Sequence, residues 1–360
     1  MSEEVLALVD GAVGRISLNR PRALHALTTR MVKTITNALL CWRGRTDIQA
    51  VLIDHSAEPD DDAKRSRGFC AGGDINLLRR SAIEDNGREG RRFFFDEYRL
   101  NHLLYMYESG FGGQPIVAFM DGVTMGGGVG ISQPARFRVA TENTRLAMPE
   151  SGIGLFPDVG GGWYLSRLAG RLGQYLALTG ARLDGAECMW AGLASHYLPA
   201  EQIEVAKARL VFGETPENVL GDLSVNPPEP ALARYAGDIE RLFASDQLDE
   251  IIATTAAEGG AFAASILDKL RAKSPTSCKV ALRQLATSLK LPDFAANMAM
   301  EYRLAARVLV MPDFAEGVRA MIVDKDNAPL WSPSTSEAVS PATLDAIFNH
   351  LPQHEEWTPL

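Results

Sequence analysis

The chain has 360 residues, 46% of them hydrophobic and 22% charged, with a formal net charge of −9. This balance suits a globular protein with a large core, and the acidic total argues against a nucleic-acid surface, which is normally basic. Four scattered cysteines without a CxxC pair, an acidic N-terminal stretch (MSEEVLALVDGAVG) and no apolar run near the roughly 20 residues that span a bilayer predict reduced thiols, no zinc site, no membrane span and a cytoplasmic location.

Residues 4–9 (EVLALV) and 13–18 (VGRISL) are apolar runs joined by Asp10-Gly11, which reads as a hairpin. NRPRALHALT follows, then an amphipathic stretch from about Thr28 to Trp42 that predicts a helix. AVLID at 50–54 reads as a buried strand, and SAEPDDDAKRSRG, with Asp60-Asp61-Asp62, as a solvated loop. A helical pattern covers roughly 75–109, and PIVAFMD at 115–121 is strand-like. A glycine cluster, GVTMGGGVGIS, leads into a helix or turn, and FRVAT at 137–141 is another short strand. Strand, glycine loop and helix recur, which predicts a layered α/β core of stacked ββα units. From about 165 onward, helical spacing dominates, notably at 229–244, 247–256, 261–272 and 294–310. The expected division is a core over residues 1–200 and a mainly helical region over 201–360, with a soft boundary near 200–225 and Pro227, Pro228 and Pro230 just beyond it.

Three stretches could carry chemistry. RGFCAGGDI (67–75) follows a strand and precedes a helix. Its glycines permit backbone conformations closed to other residues, so its amides can converge on an anion or oxyanion; the plain alternative is a turn with Asp74 capping the next helix. MGGGVGIS (125–132) lets the backbone pass close to a ligand or to another helix. It lacks the Lys of a phosphate loop and the pattern of a nucleophile elbow, so Ser132 is a poor nucleophile. In MPESGIGLFPDVGGG (148–162), Glu150 and Asp158 stand among apolar, Gly and Pro residues. They are either an acid–base pair with raised pKa values, or a helix-terminal charge and a helix cap. His25, His55, His102 and His196 have no metal spacing, and Cys70, with no His near it in sequence, ranks low as a nucleophile.

Together, LNRPRALHALT, GFCAGGDI, GGGVGIS and MPESGIGLFPD occur in the order and spacing of the crotonase (enoyl-CoA hydratase/isomerase) superfamily, which the chain resembles from residue 4 to about 350. MPESGIGLFPDVGGGWYLSRL, SPTSCKVALRQL (274–285), MEYRLAARVL (300–309) and DFAEGVRAMIVDKDNAPLW (313–331) look like its 3-hydroxyisobutyryl-CoA hydrolase branch. The resemblance implies a crotonase-like spiral of ββα units with a helical C-terminal region, and hydrolysis of an acyl-CoA thioester, with 3-hydroxyisobutyryl-CoA as the leading substrate, in valine breakdown. It implies an oxyanion hole from the N–H groups of Ala71, with Gly72 beside it, and Gly127. Glu150 and Asp158 become the catalytic carboxylates, while Glu97, Gly72, Gly126 and Leu24 contact substrate. Leu24 lies in the CoA-holding segment, where His25 replaces the family's usual Asn. Hydratases of the family carry a second glutamate where this chain has Gly130. No metal or redox cofactor is implied, since CoA is part of the substrate, and relatives are often trimers or hexamers, so a homo-oligomer is among the expectations. The alternatives are a hydratase or isomerase of the same fold, and a non-catalytic acyl-CoA binder.

Overall fold

A computed structural model describes residues 3–56 and 68–360; the charged loop expected between strands, with Asp60-Asp61-Asp62, lies outside the described residues. β1 (Val5–Asp10) and β2 (Val13–Leu18) form the expected antiparallel hairpin, turned at Gly11 with φ 53°. α1 (Thr29–Trp42) starts at the Thr28 hydroxyl, which accepts the Met31 N–H at 3.2 Å.

Three similar units follow. Each gives a strand to a large sheet, then a short strand to a small sheet, and continues into a helix. The first comprises β3 (Ala50–His55), β4 (Gly68–Cys70), α2 (Ile75–Glu84) and α3 (Arg88–Gly110). The single helical stretch expected over 75–109 is therefore two helices. Asn86 and Gly87, at φ 56° and 76°, break it, and the Asp85 side chain accepts the Arg88 N–H at 2.9 Å to start the second. The next unit is β5 (Ile116–Met120), β6 (Val123–Met125) and α4 (Gly127–Ser132). The third is β7 (Phe137–Ala140), β8 (Arg145–Ala147), a 3-10 turn at Glu150–Ile153 and α5 (Gly161–Ser166).

After α6 (Leu172–Thr179), β9 (Leu183–Asp184), α7 (Gly185–Trp190) and β10 (His196–Tyr197) complete the sheets. The large sheet has the order β1-β2-β3-β5-β7-β10 and the small one β4-β6-β8-β9. β3 and β5 are parallel central strands whose residues are almost all buried, which explains their unbroken apolar runs. One face of the large sheet is covered by α8 (Ile203–Val211) and α9 (Pro216–Leu223), with Ile203, Leu210 and Leu220 in one cluster with Leu52, Val117 and Phe119.

The remaining helices are α10 (Ala236–Leu242), α11 (Leu248–Glu258), α12 (Gly260–Arg271), α13 (Pro275–Ser288), α14 (Phe294–Val308), α15 (Pro312–Val318) and α16 (Pro341–Phe348). α13 packs on α5 and α6, α14 on α3, and α15 on the 3-10 turn at Glu150. The last contact is backbone to backbone: a Cβ at Gly154 would lie 2.2 Å from the Asp313 carbonyl oxygen. One apolar cluster runs from Val5 to Trp357 and unites the layered part with these helices.

Candidate active site

β4, β6 and β8 are parallel neighbours, paired Cys70 to Thr124 and Met125 to Ala147. Their carboxyl ends therefore release three turns side by side: residues 71–73, 126–128 and 148–150. The crevice outside strand carboxyl ends is where open α/β sheets bind ligands. Here it is a cavity of about 210 Å³. Phe93, Phe94, Leu78, Ile153 and Leu155 supply its apolar wall, and Ile322, from a π-helical turn at Arg319–Val323, brings the C-terminal region to it.

Three carboxylates line this apolar space: Glu97 from α3, Glu150 from the 3-10 turn and Asp158 from the loop before α5. They are 2%, 4% and 4% exposed. None has an ion-pair partner among the described residues. Glu97 Oε1 and Glu150 Oε2 have no hydrogen bond, while Asp158 accepts the Tyr98 hydroxyl at 2.9 Å. Burial first, and the nearby Asp158 charge second, hold the Glu97 and Glu150 carboxyls well above the usual range. Burial pushes Asp158 up to about 7, opposed by the Tyr98 donation. Carboxyls raised in this way inside an apolar cleft are suited to general acid–base chemistry near neutral pH.

The glycines fit between these acids. A Cβ at Gly127 would lie 2.8 Å from Glu97 Oε1, and one at Gly126, where φ is 47°, 3.2 Å from Glu150 Oε1. Gly127 is the first residue of α4, so its N–H has no acceptor within the helix. Across the gap, Gly72 has φ 111°, and a Cβ there would be 3.8 Å from Gly127 N.

The expectation for Ala71 needs correction. Ala71 lines the cavity, but its N–H donates to the Leu24 carbonyl at 2.9 Å and is not free for an oxyanion. The amide without such a bond lies two residues on. Leu27 N–H donates to Gly72 O at 2.7 Å, and Asp74 N–H to Leu27 O at 2.9 Å. A trans peptide sends its C=O and N–H to opposite sides. The peptide whose carbonyl faces Leu27 therefore turns the Gly73 N–H away from Leu27, toward the cavity that Gly73 lines.

Leu24 does not line the cavity; its carbonyl anchors Ala71, and its side chain lies beside Gly68. His25 is buried, with Nδ1 accepting the Arg20 N–H at 3.1 Å, so it closes its own loop. Cys70 is buried, its thiol pushed up to about 12 by burial, and its Sγ donates to the His25 carbonyl; it is no thiolate nucleophile. Asp74 caps α2 by accepting the Leu77 N–H at 3.3 Å. The capping alternative fails for Asp158. The N–H groups of Gly160 and Gly162 at the start of α5 are taken by Glu301 of α14, and the Asp158 carboxylate faces the cavity instead. At Gly130 a Cβ would lie 2.6 Å from Val159 Cβ and 2.7 Å from Asn101 Nδ2, so no side chain fits.

A family model described as enoyl-CoA hydratase/isomerase matches residues 13–348. The chain belongs to that family. Within the enoyl-CoA hydratase/isomerase family, it is 39% identical to the mitochondrial 3-hydroxyisobutyryl-CoA hydrolase of Danio rerio, over 98% of this chain and 91% of that protein. The Homo sapiens protein of the same name is 37% identical, over 97% of this chain and 89% of the other. Two solved family structures superpose closely. A carnitinyl-CoA dehydratase from Mycobacterium thermoresistibile has a TM-score of 0.91 and 38% identity, covering 99% of each chain. An enoyl-CoA hydratase from Rhodobacter sphaeroides has a TM-score of 0.88 and 36% identity, over 99% of this chain and 100% of that one. The crotonase-like fold expected from the sequence is the fold of this protein.

Proposed function

We propose that this protein hydrolyses an acyl-CoA thioester and that 3-hydroxyisobutyryl-CoA is its substrate. The observation that carries this reading is the pairing of bare backbone donors with a protonatable Glu150 in a cavity where position 130 can hold no side chain. Hydration of a double bond in this family calls on a second glutamate there. Hydrolysis does not: it needs an oxyanion hole and one acid–base or nucleophilic group. The names of the hydrolase relatives support the same reaction.

In this reading the thioester oxygen accepts the Gly73 and Gly127 N–H groups. Removing one such donor from an acyl-transfer site typically costs roughly 3–4 kcal/mol of transition-state stabilisation. Ionised Glu150 then acts in one of two ways. It takes a proton from water whose oxygen attacks the carbonyl carbon, or it attacks that carbon itself to form an anhydride that water opens. In both, the C–S bond breaks and the departing sulfur leaves as the CoA thiol after taking a proton. Asp158, which already accepts the Tyr98 hydroxyl, and Glu97, whose Oε1 has no hydrogen bond, serve as acceptors for the C3 hydroxyl of the acyl chain, which gives the buried Glu97 oxygen a partner.

The test is kcat/KM for 3-hydroxyisobutyryl-CoA against isobutyryl-CoA, in wild type and in Asp158→Asn and Glu97→Gln. Sites built to bond a hydroxyl can reject analogues lacking it by roughly 10⁴-fold or more. Equal values in wild type would refute the substrate assignment. Discrimination that survived both substitutions would move the hydroxyl contact elsewhere.

A further inference from the structure

The loop that carries Asp158 is held from the far side of the chain. Pro157 precedes the aspartate, and Val159 and Gly160 follow it before α5 starts with Gly161 and Gly162. Glu301, on α14, is fully buried. Its Oε2 accepts the Gly160 N–H at 2.7 Å and its Oε1 the Gly162 N–H at 2.9 Å. Asn297 Nδ2, one helical turn earlier, donates to Oε1 at 2.9 Å, and Gln284 Nε2 of α13 does so at 3.0 Å. Gln284 also donates to the Pro157 carbonyl at 2.7 Å. The loop is thus gripped on both sides of Asp158, by a carboxylate after it and an amide before it.

This arrangement is costly if it does no more than cap a helix. A local Ser or Asp at the N-cap would satisfy the same N–H groups, whereas a buried carboxylate without a cation carries a large desolvation cost. The glycines are shaped to this partner: a Cβ at Gly162 would lie 3.0 Å from Glu301 Oε1 and 2.8 Å from Gln284 Nε2. The result is that the placement of Asp158 is set by the C-terminal helices as much as by its own strand.

We propose that Glu301 is a positioning residue of the hydrolytic site: with Gln284 it fixes the loop so that the Asp158 carboxylate meets Tyr98 and the cavity. The inference rests on the hydrolytic reading of that cavity. Two variants test it. Glu301→Gln keeps the shape but sets an amide N–H against one of the loop N–H groups. Gly162→Ala keeps every polar group and pushes Glu301 and Gln284 off the loop with one methyl. Each is purified, checked for folding by thermal melting and circular dichroism, and assayed for thiol release from 3-hydroxyisobutyryl-CoA. Misplacement of a reacting group by about 1 Å can cost on the order of 100-fold. The expected result is a kcat roughly 10- to 100-fold below wild type in both variants, with KM changed by less than about three-fold, because the oxyanion hole and the CoA contacts are untouched. A purely structural role would lower the melting temperature and leave kcat per folded molecule at the wild-type value in either variant, which would overturn the proposal. Failure of the hydrolytic reading looks different, since wild type itself would then release no thiol.

Discussion

Replacing Tyr98 with Phe removes one hydroxyl and little else. Tyr98 is fully buried, and its hydroxyl donates to Asp158 Oδ2 at 2.9 Å. That donation lowers a carboxyl that burial has pushed up to about 7. A hydrogen bond to a charged group contributes about 1.5–3 kcal/mol, and one pKa unit corresponds to about 1.4 kcal/mol. Loss of the donor therefore raises the Asp158 pKa by roughly 1–2 units. In wild type Asp158 is about half ionised near neutrality; in Tyr98→Phe the ionised fraction at pH 7 falls to roughly a tenth or less. If the ionised form accepts the substrate hydroxyl, kcat/KM at pH 7 drops about five- to fifty-fold, and recovers as pH rises past 8. The assay is the pH profile of kcat/KM for thiol release, from pH 5.5 to 9.5, in both proteins. An acid limb that stayed at the wild-type pH in a folded Tyr98→Phe protein would refute the link between Tyr98, Asp158 and turnover.

Stability gives an independent reading of the same group. Its folded pKa lies above the unfolded value of 3.8; the native state thus binds more protons, and stability is lost as pH rises from about 4 through about 7. Asp158→Asn should accordingly be the more stable protein at pH 8, by on the order of 3 kcal/mol, with the gain gone near pH 4; denaturant melts at the two pH values check this, and a variant no more stable at pH 8 contradicts it. Gly130→Glu should not yield a hydratase: the side chain meets Val159 and Asn101, overpacking costs about 1–3 kcal/mol or more, and crotonyl-CoA hydration assays together with a thermal melt would show it. Gly127→Val should cut turnover at least roughly 100-fold, as expected for a lost oxyanion donor, while Cys70→Ala leaves it within about two-fold; the reverse ranking in a thiol-release assay would restore a cysteine mechanism.

Much of this was legible in the sequence because the fold places chemistry at punctuation. The glycine turns after β4 and β6 and Pro149 beside Glu150 after β8 mark strand ends, and these lie side by side. What periodicity does not reveal is which amide in a turn is free. Ala71 and Gly73 look alike in GFCAGGD, and only the hydrogen bonds to Leu24 and Leu27 separate them. The strands of the small sheet were hard to see because three residues are too few for a period. Tyr98 and Glu301 were missed for another reason. Both sit on helices whose sequence reads as ordinary packing, and Glu301 meets its loop across 141 residues of chain. A lone acid on the apolar face of α14, flanked by Met300 and Leu304, was the available signal.

The proposed function stands on cleavage of a thioester in the cavity by Glu150. The direct measurement is free-thiol release from 3-hydroxyisobutyryl-CoA by wild type and by Glu150→Gln, with CoA binding measured on both. The expected result is rapid release by wild type, a loss on the order of 100-fold or more in the variant, and similar CoA affinity in the two. Intact thioester after prolonged incubation with folded wild-type protein, or near-wild-type release by folded Glu150→Gln, would contradict it.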